Sequence, residues 1–148
     1  MARFKTTVIP DRSDPSKPLL TPAGNPIKRP LLKVELLDAA GDSLFDTQAL
    51  VDSGADVTMI NAQYALALGI DLSAVKEIDA FGIYNDPIKV KPAEVDIRIS
   101  ALNATVRTRS LFVYTEKIDV LIGREDFFEK FVIRFKLSED YFEVKPIE

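Results

Sequence analysis

The sequence predicts a mainly β fold with one or two short helices, and three observations carry that prediction. Apolar and polar residues alternate over short runs, as where Leu32, Val34 and Leu36 are interleaved with Lys33 and Glu35. Clusters of turn-forming residues separate those runs, as at Ala39, Ala40, Gly41 and Asp42. The segment 61–69 alone combines a helix start at Asn61 with a stop at Gly69, and it is short. A chain of 148 residues with 47% hydrophobic composition supplies one ordinary core.

The elements follow in chain order. Residues 1–30 hold six of the nine prolines, spread among Ser, Thr, Asp, Asn and Gly, and read as a Pro-rich extended arm. Its apolar islands, Val8 with Ile9 and Leu19 with Leu20, can pack on the body or on a partner; the alternative is a plain disordered leader. Residues 31–148 form the domain proper. A strand at Leu32, Val34 and Leu36 turns into a second over 44–51, and 57–60 continues as a brief third. After the 61–69 helix, strands over 78–83 and 88–90 flank a hairpin tip at Tyr84, Asn85, Asp86 and Pro87. Val95, Ile97 and Ile99 alternate with Asp96 and Arg98, and strands over 106–114 and 120–122 come next. A second short helix is expected from Arg124 to Lys130, then final strands over 131–135 and 141–144. The stretches 31–69 and 94–131 run through the same order of elements, which raises the question of an internal duplication.

Composition excludes several function classes. With 19 Lys+Arg against 23 Asp+Glu there is no basic footprint for nucleic acid or an anionic membrane surface. No apolar run reaches the roughly 20 residues a membrane span needs, and the first ten residues lack a signal-peptide pattern, so a cytoplasmic location is expected. Cysteine and histidine are both absent, which removes thiol nucleophiles, disulfides, Cys/His zinc sites and imidazole bases. Acid–base chemistry here falls to carboxylates, Lys or Tyr.

Among the carboxylates, Asp52 stands out. It follows the apolar run Ala49, Leu50, Val51, precedes Ser53, Gly54, Ala55 and Asp56, and the strand pattern returns at Val57, Thr58, Met59 and Ile60. A buried carboxylate is costly unless neighbours hydrogen-bond it or it shares a proton. Gly54 lets the backbone approach that carboxylate, and Ala55 leaves space for a ligand. Asp-Ser-Gly is also ordinary turn chemistry, but surface turns are usually bordered by polar strand ends, and these flanks are apolar.

Residues 50–56 resemble the signature of the retropepsin-like aspartic proteases, an apolar pair followed by Asp, Ser or Thr, Gly and Ala. That family's second signature, two apolar residues and a glycine often continued by Arg and a short helix, is matched by Val120, Leu121, Ile122, Gly123 and Arg124, about seventy residues downstream. The resemblance spans roughly 31–135 and implies an acid-protease β-barrel whose active site forms at a homodimer two-fold axis. It implies that Asp52 is catalytic and faces its symmetry mate, the pair holding one proton and activating a water against a peptide carbonyl, with no metal and no organic cofactor. Ser53 then resembles the hydroxyl that braces the two active-site loops across the axis. Asp56 and Arg124 match an ion pair tying the Asp52 loop to Gly123, with solvated surface charge as the alternative for each. Met59 and Leu121 match pocket-lining positions, with core packing as the plainer reading. The family commonly joins its chain ends in an intermolecular sheet, a role that would fall to 141–144.

The hairpin containing Gly82, Ile83 and Tyr84 stands where that family places its flap, yet departs from the glycine-rich tip of retroviral members. Gly82 is its lone glycine, and Pro87 has no N–H to offer a substrate. Tyr84 would serve as an aromatic lid or as a half-buried strand residue. Three functions compete: a homodimeric aspartic endopeptidase acting on peptide or protein, a non-catalytic dimeric peptide-binding module on the same fold, and a structural barrel in which Asp52 is a turn residue.

Overall fold

The computed structural model describes residues 2–81 and 87–147. The described residues form twelve strands: β1 Ala2–Lys5, β2 Thr7–Val8, β3 Lys28–Arg29, β4 Leu31–Leu37, β5 Ser43–Val51, β6 Thr58–Asn61, β7 Ile78–Phe81, β8 Pro87–Ile99, β9 Ala104–Val113, β10 Val120–Ile122, β11 Phe131–Lys136 and β12 Tyr141–Pro146. Six of them close a barrel in the order β4-β5-β10-β6-β9-β8, with β8 pairing back onto β4 and β7 attached outside on β8. Closure removes the open edges that a flat sheet would leave.

The alternation read from the sequence is the alternation of burial. Leu32, Val34 and Leu36 are wholly buried in β4, and Val95, Ile97 and Ile99 do the same in β8. Phe112, Phe127 and Phe142 are buried completely, each contributing about 1.5–3 kcal/mol of transfer free energy.

The two look-alike stretches interlock. The β4–β5–β6 and β8–β9–β10 units are each entered by an antiparallel pair, and they exchange their other strands: β5 runs parallel to β10, and β6 runs parallel to β9. Two antiparallel pairs, β6–β10 and β4–β8, also join the units. The duplication suggested by element order is therefore present as topology.

Both expected helices are less regular than the sequence suggests. Asn61 does cap a helical turn over Ala62–Tyr64, accepting from Gln63 N at 3.1 Å, and successive turns lead to Gly69 at φ 75°, where a side chain is strained. So short a segment has no stable helix of its own, and its shape is set by burying Ala62, Ala65 and Leu68. The segment Arg124–Phe128 is broken rather than helical to Lys130, because Glu125 is extended and Asp126 sits at φ 66°, ψ −48°.

The arm is organised. Thr7–Val8 pairs with Lys28–Arg29, and Ile9 N donates to Ile27 O while Leu19 N donates to Ile9 O. The segment of 141–144 expected to join another copy is occupied within the chain: β12 is the central strand of a three-stranded sheet, flanked by β1 and β11. Both of its hydrogen-bonding edges are filled there, so the edge strands of that sheet are β1 and β11.

Candidate active site

Asp52 follows directly on β5, at the point where β5 and β10 lie side by side with Val51 opposite Ile122. Its backbone N donates to Ile122 O at 2.9 Å, which fixes the start of the loop to the end of β10. The half-buried carboxylate accepts from Gly54 N at 2.9 Å, a local turn that aims one oxygen at the glycine amide. A Cβ at position 54 would stand 3.3 Å from Asp52 Oδ1, so a side chain there crowds the carboxylate.

The loop is held from the other side by backbone donors. Gly123 N donates to Thr58 Oγ1 at 3.2 Å, Arg124 N to Ala55 O at 2.9 Å, and Glu125 N to Asp56 O at 2.9 Å. Gly123 is buried, and a Cβ on it would lie 2.8 Å from Val57 N and closer still to the Val57 carbonyl. Here glycine is required for close approach rather than for an unusual φ. Arg124 and Asp56 form an ion pair, but their side chains are 55% and 85% exposed, so solvent screening leaves it a small share of the loop's stability. The backbone bonds do most of the holding.

Directly opposite residues in a sheet share a face, and one row explains the surroundings of Asp52. Leu31, Leu50, Leu121, Met59 and Leu111 are successive cross-strand partners through β4, β5, β10, β6 and β9, and all five are half-buried. The neighbouring row, Leu32, Ala49, Val120, Ile60 and Phe112, points to the opposite face and is core. Leu50 lies two residues before Asp52, roughly 7 Å along the chain, which brings Asp52 to the border of the apolar row. A cavity of about 280 Å³ opens at one end of the row beside Ile9, Gln48, Leu50 and Ile118. Another of about 420 Å³ opens at the other end beside Val57, Pro92, Arg109 and Leu111. A third, of about 370 Å³ around Leu66, Ile70 and Tyr114, contains none of the row's residues.

The residues singled out by sequence thus gather at one place: Asp52, Ser53, Gly54, Ala55 and Asp56 in one loop, Gly123 and Arg124 bonded to it, and Met59 opposite Leu121. Ser53 is exposed, and its hydroxyl has no hydrogen bond among the described residues. Gly82, Ile83 and Tyr84 lie outside the described residues. The adjoining hairpin pairs Phe81 with Pro87 and Ala80 with Ile88, and it leaves Phe81 69% and Ile88 42% exposed.

Sequence reading missed Leu31, Leu50 and Leu111 as members of this face, because alternation separates two faces without saying which is the core. It also missed Asp126 and Arg109. The Asp126 carboxylate accepts from Arg109 N at 2.8 Å, Nε at 3.2 Å and a terminal guanidinium nitrogen at 3.0 Å. The Arg109 hydrogen bond, aided by the charges of Arg109 and Lys130, holds the Asp126 carboxyl below the ordinary carboxylate range despite partial burial.

No family model and no curated protein matches the sequence. Solved structures do. A retropepsin-like aspartic protease from Rickettsia conorii is similar over 74% of this chain and 86% of its own, at 18% identity and a TM-score of 0.52. The retroviral protease-like domain of Ddi1 from Leishmania major is similar over 82% of this chain and 91% of its own, at 12% identity and a TM-score of 0.54. The fold is retropepsin-like.

Proposed function

We propose that this protein is an aspartic endopeptidase that acts as a homodimer, with Asp52 as its catalytic residue and a cytoplasmic location. The observation that carries the reading is the half-buried apolar row passing Asp52 between two cavities, a surface suited to an extended peptide lying across the strands. The chain carries a single Asp-Ser-Gly sequence, so a carboxylate pair requires two copies. Two such carboxylates in contact cannot both ionise readily and share one proton. The ionised member takes a proton from water as it attacks the peptide carbonyl, while the protonated member donates to the developing oxyanion. Ser53, exposed and with no hydrogen bond among the described residues, bonds the other copy in this reading. The β7–β8 hairpin, with Phe81 and Ile88 exposed, supplies the flap and offers apolar side chains to a bound peptide.

The test is cleavage of a pool of unfolded proteins across acidic and neutral pH, followed by dilution. Specific activity is expected to fall through the dimer dissociation constant. Activity that is independent of concentration rejects the shared site, and saturable peptide binding without cleavage assigns the non-catalytic binding module instead.

A further inference from the structure

The Asp52 loop depends on amides from residues 123–125, so the question is what fixes those amides. Gly123 N, Arg124 N and Glu125 N each donate into the segment 55–58. Immediately afterwards the chain takes an uncommon turn. Glu125 is extended at φ −59°, ψ 134°, and Asp126 lies at φ 66°, ψ −48°, a conformation that non-glycine residues seldom adopt and that persists only where surroundings impose it.

The surroundings that impose it are visible. Both carboxylate oxygens of Asp126 are gripped by Arg109, one by the backbone N and Nε, the other by a terminal nitrogen. The Arg109 side chain is 61% exposed but the Asp126 side chain is 16% exposed, so the carboxylate of this grip is better shielded than that of the Arg124–Asp56 pair. Glu125 adds a weaker contact at 3.4 Å to the same guanidinium. On the other side of Asp126, Phe127 is completely buried, which pins the chain against sliding.

Arg109 is itself tied to the Asp52 loop. Its neighbour Ser110 is the parallel partner of Thr58, and the Thr58 hydroxyl accepts from Gly123 N. The bonds therefore close a ring: from the Asp52 loop to Gly123, Arg124 and Glu125, through Asp126 to Arg109, through Ser110 to Thr58, and back to the loop. Removing the Asp126–Arg109 link opens the ring at its charged side-chain joint.

We infer that Asp126 is a positioning residue for Asp52, acting through the amides of Gly123, Arg124 and Glu125 with Arg109 as its anchor. This rests on the protease reading for its catalytic consequence, but not for its mechanical one. Because Arg109 holds the Asp126 carboxyl below the usual carboxylate range, the link persists to lower pH than an unpaired carboxylate would allow.

The experiment uses the full chain with Asp126→Asn, Arg109→Met and Arg109→Lys, the second leaving the backbone at position 126 untouched. Amide hydrogen exchange is expected to quicken at Gly123, Arg124 and Glu125 by about tenfold in Asp126→Asn and Arg109→Met, with β4 amides unchanged, and Arg109→Lys is expected to restore part of the protection. In Asp126→Asn kcat is expected to fall about tenfold per folded dimer while KM stays within about twofold; for the Arg109 variants, whose side chain lines the cavity of about 420 Å³, only the fall in kcat is read. Unchanged exchange at those three amides overturns the inference whatever the activity. Quickened exchange with unchanged kcat overturns its catalytic part. A wild type that cleaves no substrate fails the protease reading instead, and the exchange comparison still decides the link.

Discussion

The barrel contains the same crossing twice, and the two are held together differently. After β5 the chain loops through 52–57 into β6; after β9 it loops through 114–119 into β10. The second loop is cradled by one buried side chain: Asn61 donates from Nδ2 to Thr115 O at 2.5 Å and to Ile118 O at 3.1 Å, and its backbone N donates to Asp119 O at 2.8 Å. The first loop is cradled by backbone amides of residues 123–125, at a position where any side chain on Gly123 would strike Val57. A side-chain amide fills the space between strands and closes a crossing as structure. A glycine with backbone donors brings the loops together without filling that space, and the Asp52 carboxylate accepts, among the described residues, only from the Gly54 amide.

This contrast can be broken or sharpened by substitution. The largest effect is expected from Asp52→Asn, which preserves shape and removes the ionisable group: cleavage should fall by at least about a thousandfold. Thermal unfolding should move by less than about 2 °C, measured by circular dichroism on the same sample. An active variant rejects Asp52, and a large stability loss would make it a structural residue like Asn61.

Gly123→Ala comes next. The added methyl meets the Val57 backbone, which has no flexible end to yield, so a destabilisation of about 3 kcal/mol is expected in denaturant titrations together with loss of activity. A fully stable, active alanine variant would show that the close approach is not needed.

Asn61→Leu tests the other crossing. It strips two carbonyls of their partner and should cost about 1–3 kcal/mol, yet leave kcat per folded dimer unchanged because the damage lies in the 114–119 loop. A fall in kcat as large as that of Gly123→Ala would mean that the two crossings are mechanically coupled.

The smallest effect concerns pH. Asp126 has its pKa lowered from 3.8, first by the Arg109 hydrogen bond, so its folded-state value lies below its unfolded one. Its contribution is therefore fully present above the unfolded value and lost as pH falls through the lowered folded value. The stability difference between wild type and Asp126→Asn should be flat from neutral pH down to about pH 5 and shrink only below about pH 4. A difference that disappears between pH 5 and 7 would assign the effect to another group.

The sequence by itself determined the strands from β4 onward and the position of the carboxylate in the chain. Alternation at Leu32, Val34 and Leu36, or at Val95, Ile97 and Ile99, leaves one buried face whatever the partner strand, because side chains of a strand repeat every second residue. The Asp52 and Gly123 motifs were legible for a similar reason: each is a short run whose backbone demands are local. What only the tertiary structure decided are the relations between distant strands. Leu50 and Leu111 belong to one row because β5, β10, β6 and β9 align in a particular register, and no local pattern encodes register between strands. Asp126 is held at a positive φ by Arg109, 17 residues earlier, so its break in the expected helix has no local signal. The alternation of 141–144 likewise announces a strand but not its neighbours, and β1 from the arm takes the edge that another copy was expected to fill. Side-chain chemistry and strand period are properties of neighbours in the chain; which strand edges meet depends on how the whole barrel closes.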